Sequence, residues 1–125
     1  GNPEVEIWGD GEQTRSFCYI DDCLEGIHRL MLSDYHDPLN LGQDRLISIN
    51  GLANLISEIA GVKIIEKHIS GPQGVRGRNS DNTRLRQVLG WAPQVSLEDG
   101  LKRTYTWIEK QVRDKLLREG VKLVA

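Results

Sequence analysis

The clearest regularity in the chain lies near its end. Leu97, Leu101, Tyr105, Ile108, Val112 and Leu116 recur at steps of 4, 4, 3, 4 and 4, the spacing that lines side chains along one face of an α-helix. The pattern predicts an amphipathic helix of about six turns. Ser96 opens it, and Glu98 and Asp99 lie near its positive end. A second helical pattern runs through Leu52, Leu55, Ile56 and Ile59, capped by Ser48 or Asn50 and stopped by Gly61. A third joins Cys23, Leu24, Ile27, Leu30 and Met31, with Asp21 or Asp22 as the expected cap. A short helix from Asp81 or Asn82 runs to Leu89 and ends at Gly90.

Between these lie β-like stretches. Val5, Ile7 and Trp8 read as a strand, Gly9-Asp10-Gly11-Glu12 as a tight turn, and Thr14 to Ile20 as a second strand, so the pair is expected to form a hairpin or strand–turn–strand. Pro38 to Gly42 reads as a short buried or extended segment, and Val62 to Ile69 as a strand. Ser70 to Ser80 holds four glycine or proline residues and two arginines, and reads as a loop. Trp91-Ala92-Pro93 is an extended connector. The expected class is α/β, or α+β-like, with a short sheet carrying three or four helices. All 125 residues fit one domain, 1–125, with 1–3 and 118–125 loosely ordered.

Composition narrows the function classes. Sixteen basic residues stand against 18 acidic ones, for a net charge of −2, which argues against a general nucleic-acid grip. No window approaches a membrane-spanning length of apolar residues. Gly1-Asn2-Pro3-Glu4 lacks the features of a secretory signal, and the expected location is cytoplasmic. Cys18 and Cys23 are too few for a disulfide framework and read as reduced, partly buried thiols. His28, His36 and His68 are scattered, and no metal site is expected.

No complete catalytic constellation is visible. Gly9-Asp10-Gly11 resembles the start of a dinucleotide fingerprint, but a strand rather than a helix follows it. No serine sits in a nucleophile elbow. Tyr19, Tyr35 and Tyr105 are followed four residues later by Cys23, Leu39 and Glu109, never by the lysine that would lower a tyrosine's pKa. Trp8, Trp91 and Trp107 read as packing residues. What remains is arginine on glycine-rich loops. Arg15 follows the glycine turn, and Arg76 and Arg78 lie in Gly74-Val75-Arg76-Gly77-Arg78-Asn79-Ser80. The planar guanidinium suits phosphate oxygens, and neighbouring glycines let backbone amides approach the same anion. The alternative is that these are solvated loop arginines.

These segments carry a resemblance. Trp8-Gly9-Asp10-Gly11-Glu12-Gln13-Thr14-Arg15-Ser16-Phe17 with Tyr19-Ile20-Asp21-Asp22 resembles the entry into the C-terminal substrate domain of extended short-chain dehydrogenases/reductases, the NAD-dependent epimerase/dehydratase family. Arg78-Asn79-Ser80-Asp81-Asn82, Leu89-Gly90-Trp91-Ala92-Pro93 and Leu97-Glu98-Asp99-Gly100-Leu101 resemble that domain's final third. Gln13 to Phe17 and Gly71 to Asn82 are more narrowly similar to the family's epimerases of GDP-sugars.

The resemblance implies a nucleotide-sugar site beneath a small domain, with NAD on a separate N-terminal Rossmann domain. Such an epimerase oxidises C4 of the sugar transiently, inverts C3 and C5 through proton transfer made easy by the ketone, and returns the hydride. Gln13, Thr14, Arg15 and Arg78 would line the nucleotide-sugar site. The Rossmann fingerprint and the Tyr/Lys pair have no counterpart in these residues, so the chain alone is expected to bind no NAD tightly and to be inactive, with no catalytic residue of its own. A stand-alone binding module, and part of a UDP- or dTDP-sugar dehydratase or decarboxylase, are the competing expectations. As for assembly, the chain is expected either to stay monomeric or to pair as a homodimer through a new surface.

Overall fold

The computed structural model describes residues 2–120. In chain order the elements are β1 (Glu4–Trp8), β2 (Thr14–Arg15), α1 (Ile20–Met31), β3 (Ile47–Ser48), α2 (Ile49–Ala60), β4 (Ile65–Ile69), β5 (Gly77–Arg78), α3 (Thr83–Leu89) and α4 (Leu97–Arg118). The class is α/β with four helices over short sheets, as the pattern predicted. The tail from 121 to 125 lies outside the described residues.

The strands pair differently from the expected hairpin. β1 lies parallel to β4, with Ile7 beside His68 and Trp8 beside Ile69. β2 belongs to a separate three-stranded sheet of order β3-β2-β5, antiparallel to β3 and parallel to β5. The turn at 9–12 therefore hands the chain from one sheet to another. Its geometry depends on glycine: Gly9 and Gly11 have φ of 77° and 71°, where L side chains are strained. A Cβ at Gly9 would sit 2.3 Å from the Gln73 side chain, and one at Gly11 would sit 1.7 Å from Asn50 Oδ1. The second strand is two residues long rather than seven: residues 16–19 belong to no element, and Ile20 already opens α1.

The helix ends largely follow the sequence. Ser48 Oγ accepts the Gly51 amide at 3.0 Å, and Ser96 Oγ accepts the Asp99 amide at 3.1 Å. α2 and α3 stop at Gly61 and Gly90. α4 is 22 residues long, matching the six-turn expectation. At α3 the Asp81 carboxylate accepts the Thr83 amide at 2.9 Å, while Asn82 is buried and makes no side-chain cap.

The α1 cap is a correction. Tyr19 occupies the cap position without a side-chain bond. Asp22 is buried, and its Oδ2 accepts the amides of Gln94 at 2.9 Å and Val95 at 2.7 Å. Those amides lie 72 and 73 residues downstream, so this carboxylate ties α1 to the segment leading into α4. The apolar stripe of α1 is also largely uncovered. Asp22 and Gly26 are the buried residues of the helix, Gly26 against Leu41 and Trp91, whereas Ile20, Leu24, Ile27 and Met31 are 57%, 57%, 46% and 77% exposed.

The apolar core is thin. Ile7 and Leu85 are its deeply buried members, joined by the buried polar residues Gln13, Asp22 and Asn82. Asn82 staples the start of α3 to the extended segment at Gly42, donating to its carbonyl at 2.6 Å and accepting from the Ser80 hydroxyl at 3.0 Å.

Candidate functional site

The candidate residues meet where β2 lies between β3 and β5. Arg15 is the register partner of Arg78 on one side and of Ile47 on the other. Laterally paired residues project to the same face of a sheet, and successive residues to opposite faces. Arg15 and Arg78, 63 positions apart in sequence (78 − 15), therefore leave one face side by side. Thr14, paired with Gly77, points to the other face. Its Oγ1 would lie 3.0 Å from a Cβ placed on Gly77, so glycine there lets the two strands close.

The two arginines differ in what they already hold. Arg15 is half-buried, and its guanidinium donates to the Thr14 carbonyl at 2.7 Å and to the Gln73 carbonyl at 3.4 Å. That orients the group while leaving other N–H directions open. Arg78 is exposed and has no side-chain partner among the described residues. Gly74 lies against Arg15 Nη2. A groove of about 650 Å³ lies elsewhere, between residues 17–20 and the first half of α4, and includes neither arginine.

The remaining candidates are placed apart. Gln13 is turned into the body, 6% exposed, with Nε2 donating to the Trp8 carbonyl at 3.1 Å. Its Oε1 is a buried acceptor with no partner among the described residues. Arg76 is already engaged: its Nη1 lies 2.8 Å from both carboxylate oxygens of Asp10. The Glu12 amide, first, and this guanidinium, second, hold the Asp10 carboxyl below the usual carboxylate range.

Asp10 is the residue that sequence reasoning missed. In sequence it is turn chemistry between two glycines, and nothing local relates it to an arginine 66 positions away.

Among the described residues no three His, Cys, Asp or Glu side chains come together to hold a metal ion, and no helix is long and apolar enough to cross a membrane. Nor do these residues fit a dinucleotide cradle. The glycine turn leads into a strand, and the space over Gly9 and Gly11 is filled by Gln73 and Asn50. Cys18 and Cys23 are both free and half-buried.

The model of the NAD dependent epimerase/dehydratase family matches residues 1–42. Over 116 residues, 93% of the chain, the sequence is 50% identical to GDP-mannose 3,5-epimerase 1 of Oryza sativa subsp. indica, of which it covers 30%. It is 39% identical over 92 residues to UDP-glucuronic acid decarboxylase 5 of Arabidopsis thaliana, of which it covers 27%. The fold matches UDP-glucose 4-epimerase of Thermotoga maritima with a TM-score of 0.82 at 35% identity, over 87% of this chain and 36% of that one. The chain thus spans about a third of the length of the proteins it matches. Over that span it belongs to the NAD-dependent epimerase/dehydratase family.

Proposed function

We propose that the chain is the nucleotide-sugar-binding portion of an NAD-dependent epimerase similar to GDP-mannose 3,5-epimerase, and that Arg15 and Arg78 grip the diphosphate. The observation that carries this reading is the lateral pairing of the two arginines on one sheet face. Two planar donors at neighbouring strand positions suit an anion with oxygens on two linked phosphorus atoms. Gln13 lies directly before this strand and keeps an unused buried acceptor, which a ligand donor or a group from another part of the protein would satisfy. Thr14 opens the same strand but projects to the face opposite the two arginines.

On this reading the redox step and NAD belong to residues other than these, and the chain alone binds NAD weakly and does not turn over. The uncovered stripe of α1 supports the same view, because large apolar surfaces exposed in one run normally meet a partner surface. A stand-alone module would be expected to carry polar residues there, or to pair that face in a homodimer. A protein acting on a UDP-sugar is the second reading, favoured by the likeness to the decarboxylase. These residues offer the two arginines to a diphosphate whatever the base.

Titration of the chain with GDP, UDP and dTDP, each against wild type, Arg15→Ala and Arg78→Ala, tests the assignment. Binding that is weakened in both variants supports it. Equal binding in all three proteins removes it. A clear preference for UDP or dTDP over GDP would replace the first reading with the second.

A further inference from the structure

We propose that Asp10 and Arg76 are positioning residues: they form a clasp that holds β5 in register with β2 and so sets the spacing of Arg15 and Arg78. The inference rests on the diphosphate reading for its consequence, though the clasp itself can be tested without a ligand.

β5 needs such a device. It is two residues long, both exposed, and its one neighbour in the sheet is β2. A ladder this short is marginal by itself. Besides the register contacts themselves, the Thr14 amide donates to the Arg76 carbonyl at 2.8 Å and the Ser16 amide to the Arg78 carbonyl at 3.2 Å. The clasp acts on the first of these, because the residue whose carbonyl starts the ladder is the one whose guanidinium holds Asp10.

The other half of the clasp is anchored. The Asp10 carboxylate also accepts the Glu12 amide at 3.0 Å, which fixes its direction. Asn50, at the start of α2, donates to the Asp10 carbonyl at 2.9 Å and to Glu12 Oε1 at 2.8 Å. Asn50 Oδ1 in turn accepts from His68 Nε2 of β4 at 3.0 Å. Asp10 is thus tied to a helix and to the other sheet, while Arg76 belongs to a loop with few bonds. From the same loop the Gln73 carbonyl accepts from Arg15 Nη2 at 3.4 Å.

Both partners are more than half exposed, so the pair contributes little to global stability. Its effect is local, and it has a second side: it keeps Arg76 away from an anion bound at Arg15 and Arg78. A direct role for Arg76 on that anion predicts the opposite response to loss of Asp10.

The test is calorimetric titration of the full chain with inorganic pyrophosphate, alongside NMR amide exchange of Thr14 and Ser16. The proteins are wild type, Asp10→Asn, Arg76→Gln and the double variant. Each single substitution is expected to weaken pyrophosphate binding about two- to fivefold, the scale of an exposed ion pair, and the double variant to be no weaker than either. Thr14 and Ser16 should exchange faster in both singles while the melting temperature stays nearly constant.

Tighter binding in Asp10→Asn together with weaker binding in Arg76→Gln would make Arg76 a direct contact and overturn the proposal. So would unchanged exchange at Thr14 in Asp10→Asn. If the wild type binds no pyrophosphate, the diphosphate reading falls, and the exchange rates still decide whether the clasp exists.

Discussion

Arg15 and Arg78 are register partners across a parallel strand pair, and they carry like charge on one face. Such an arrangement opposes folding in the absence of an anion, because like charges directly opposite in a sheet are destabilising. Arg78→Ala is therefore expected to raise the stability of the ligand-free chain slightly while removing anion binding. Thermal melts check both parts. Pyrophosphate should raise the wild-type midpoint more than sodium chloride of equal ionic strength, and should do nothing extra for Arg78→Ala. An equal response in the two proteins would mean that no anion lies between these residues.

How much of this was legible beforehand depends on the range of the interaction. Ser48, Gly61, Gly90 and Ser96 were readable because capping is decided within four residues. The six-turn helix was readable because its period is internal. The parting of β1 from β2 was not readable, since it depends on β4 and β5, which arrive more than fifty residues later. Asp22 failed for the same reason: an aspartate at a helix start reads as a cap, and only the folded chain brings Gln94 and Val95 to its carboxylate. Arg15 and Arg78 were singled out one at a time by their glycine-flanked loops. Their lateral pairing, and the engagement of Arg76 by Asp10, are tertiary facts with no local trace.

Asp22 should be among the most sensitive positions in the chain. Its 7% exposed carboxylate satisfies two main-chain amides. Asp22→Ala leaves both without an acceptor in a part-buried setting, at a cost of about 2–4 kcal/mol. Asp22→Asn keeps one acceptor oxygen and should cost about half as much. Urea unfolding of the two variants measures this directly. Wild-type stability in Asp22→Ala would show that the α1 brace carries no weight.

Gly26 tests the packing of the same helix. A Cβ there would lie 2.6 Å from Leu41 Cδ1 and 2.9 Å from the Trp91 ring. Helix propensity alone favours Gly26→Ala by about 1 kcal/mol, and overpacking opposes it by about 1–3 kcal/mol. The expected outcome is a net loss, with a change in Trp91 fluorescence as the ring is displaced. A stabilised variant would mean that Leu41 moves aside freely.

The thiols supply a pH-dependent test. Burial, reinforced by Cys23 and Asp22, pushes the Cys18 thiol up from an ordinary value of 9.0 to about 11. The native chain thus keeps a proton that the unfolded chain gives up. For a group raised in the folded state, its contribution is fully present below the unfolded value and is lost as pH rises through the folded one. Stability should accordingly fall between about pH 9 and pH 11 more steeply in wild type than in Cys18→Ser. The same shift makes Cys18 a poor nucleophile near neutrality, since the thiolate is the reactive form. Alkylation of a Cys23→Ser variant by iodoacetamide should be slow at pH 8, with a rate inflection above the ordinary value of 9.0, since burial, the first cause of the shift, remains. An inflection at the ordinary value of 9.0 would show that the start of α1 does not shield Cys18 from water.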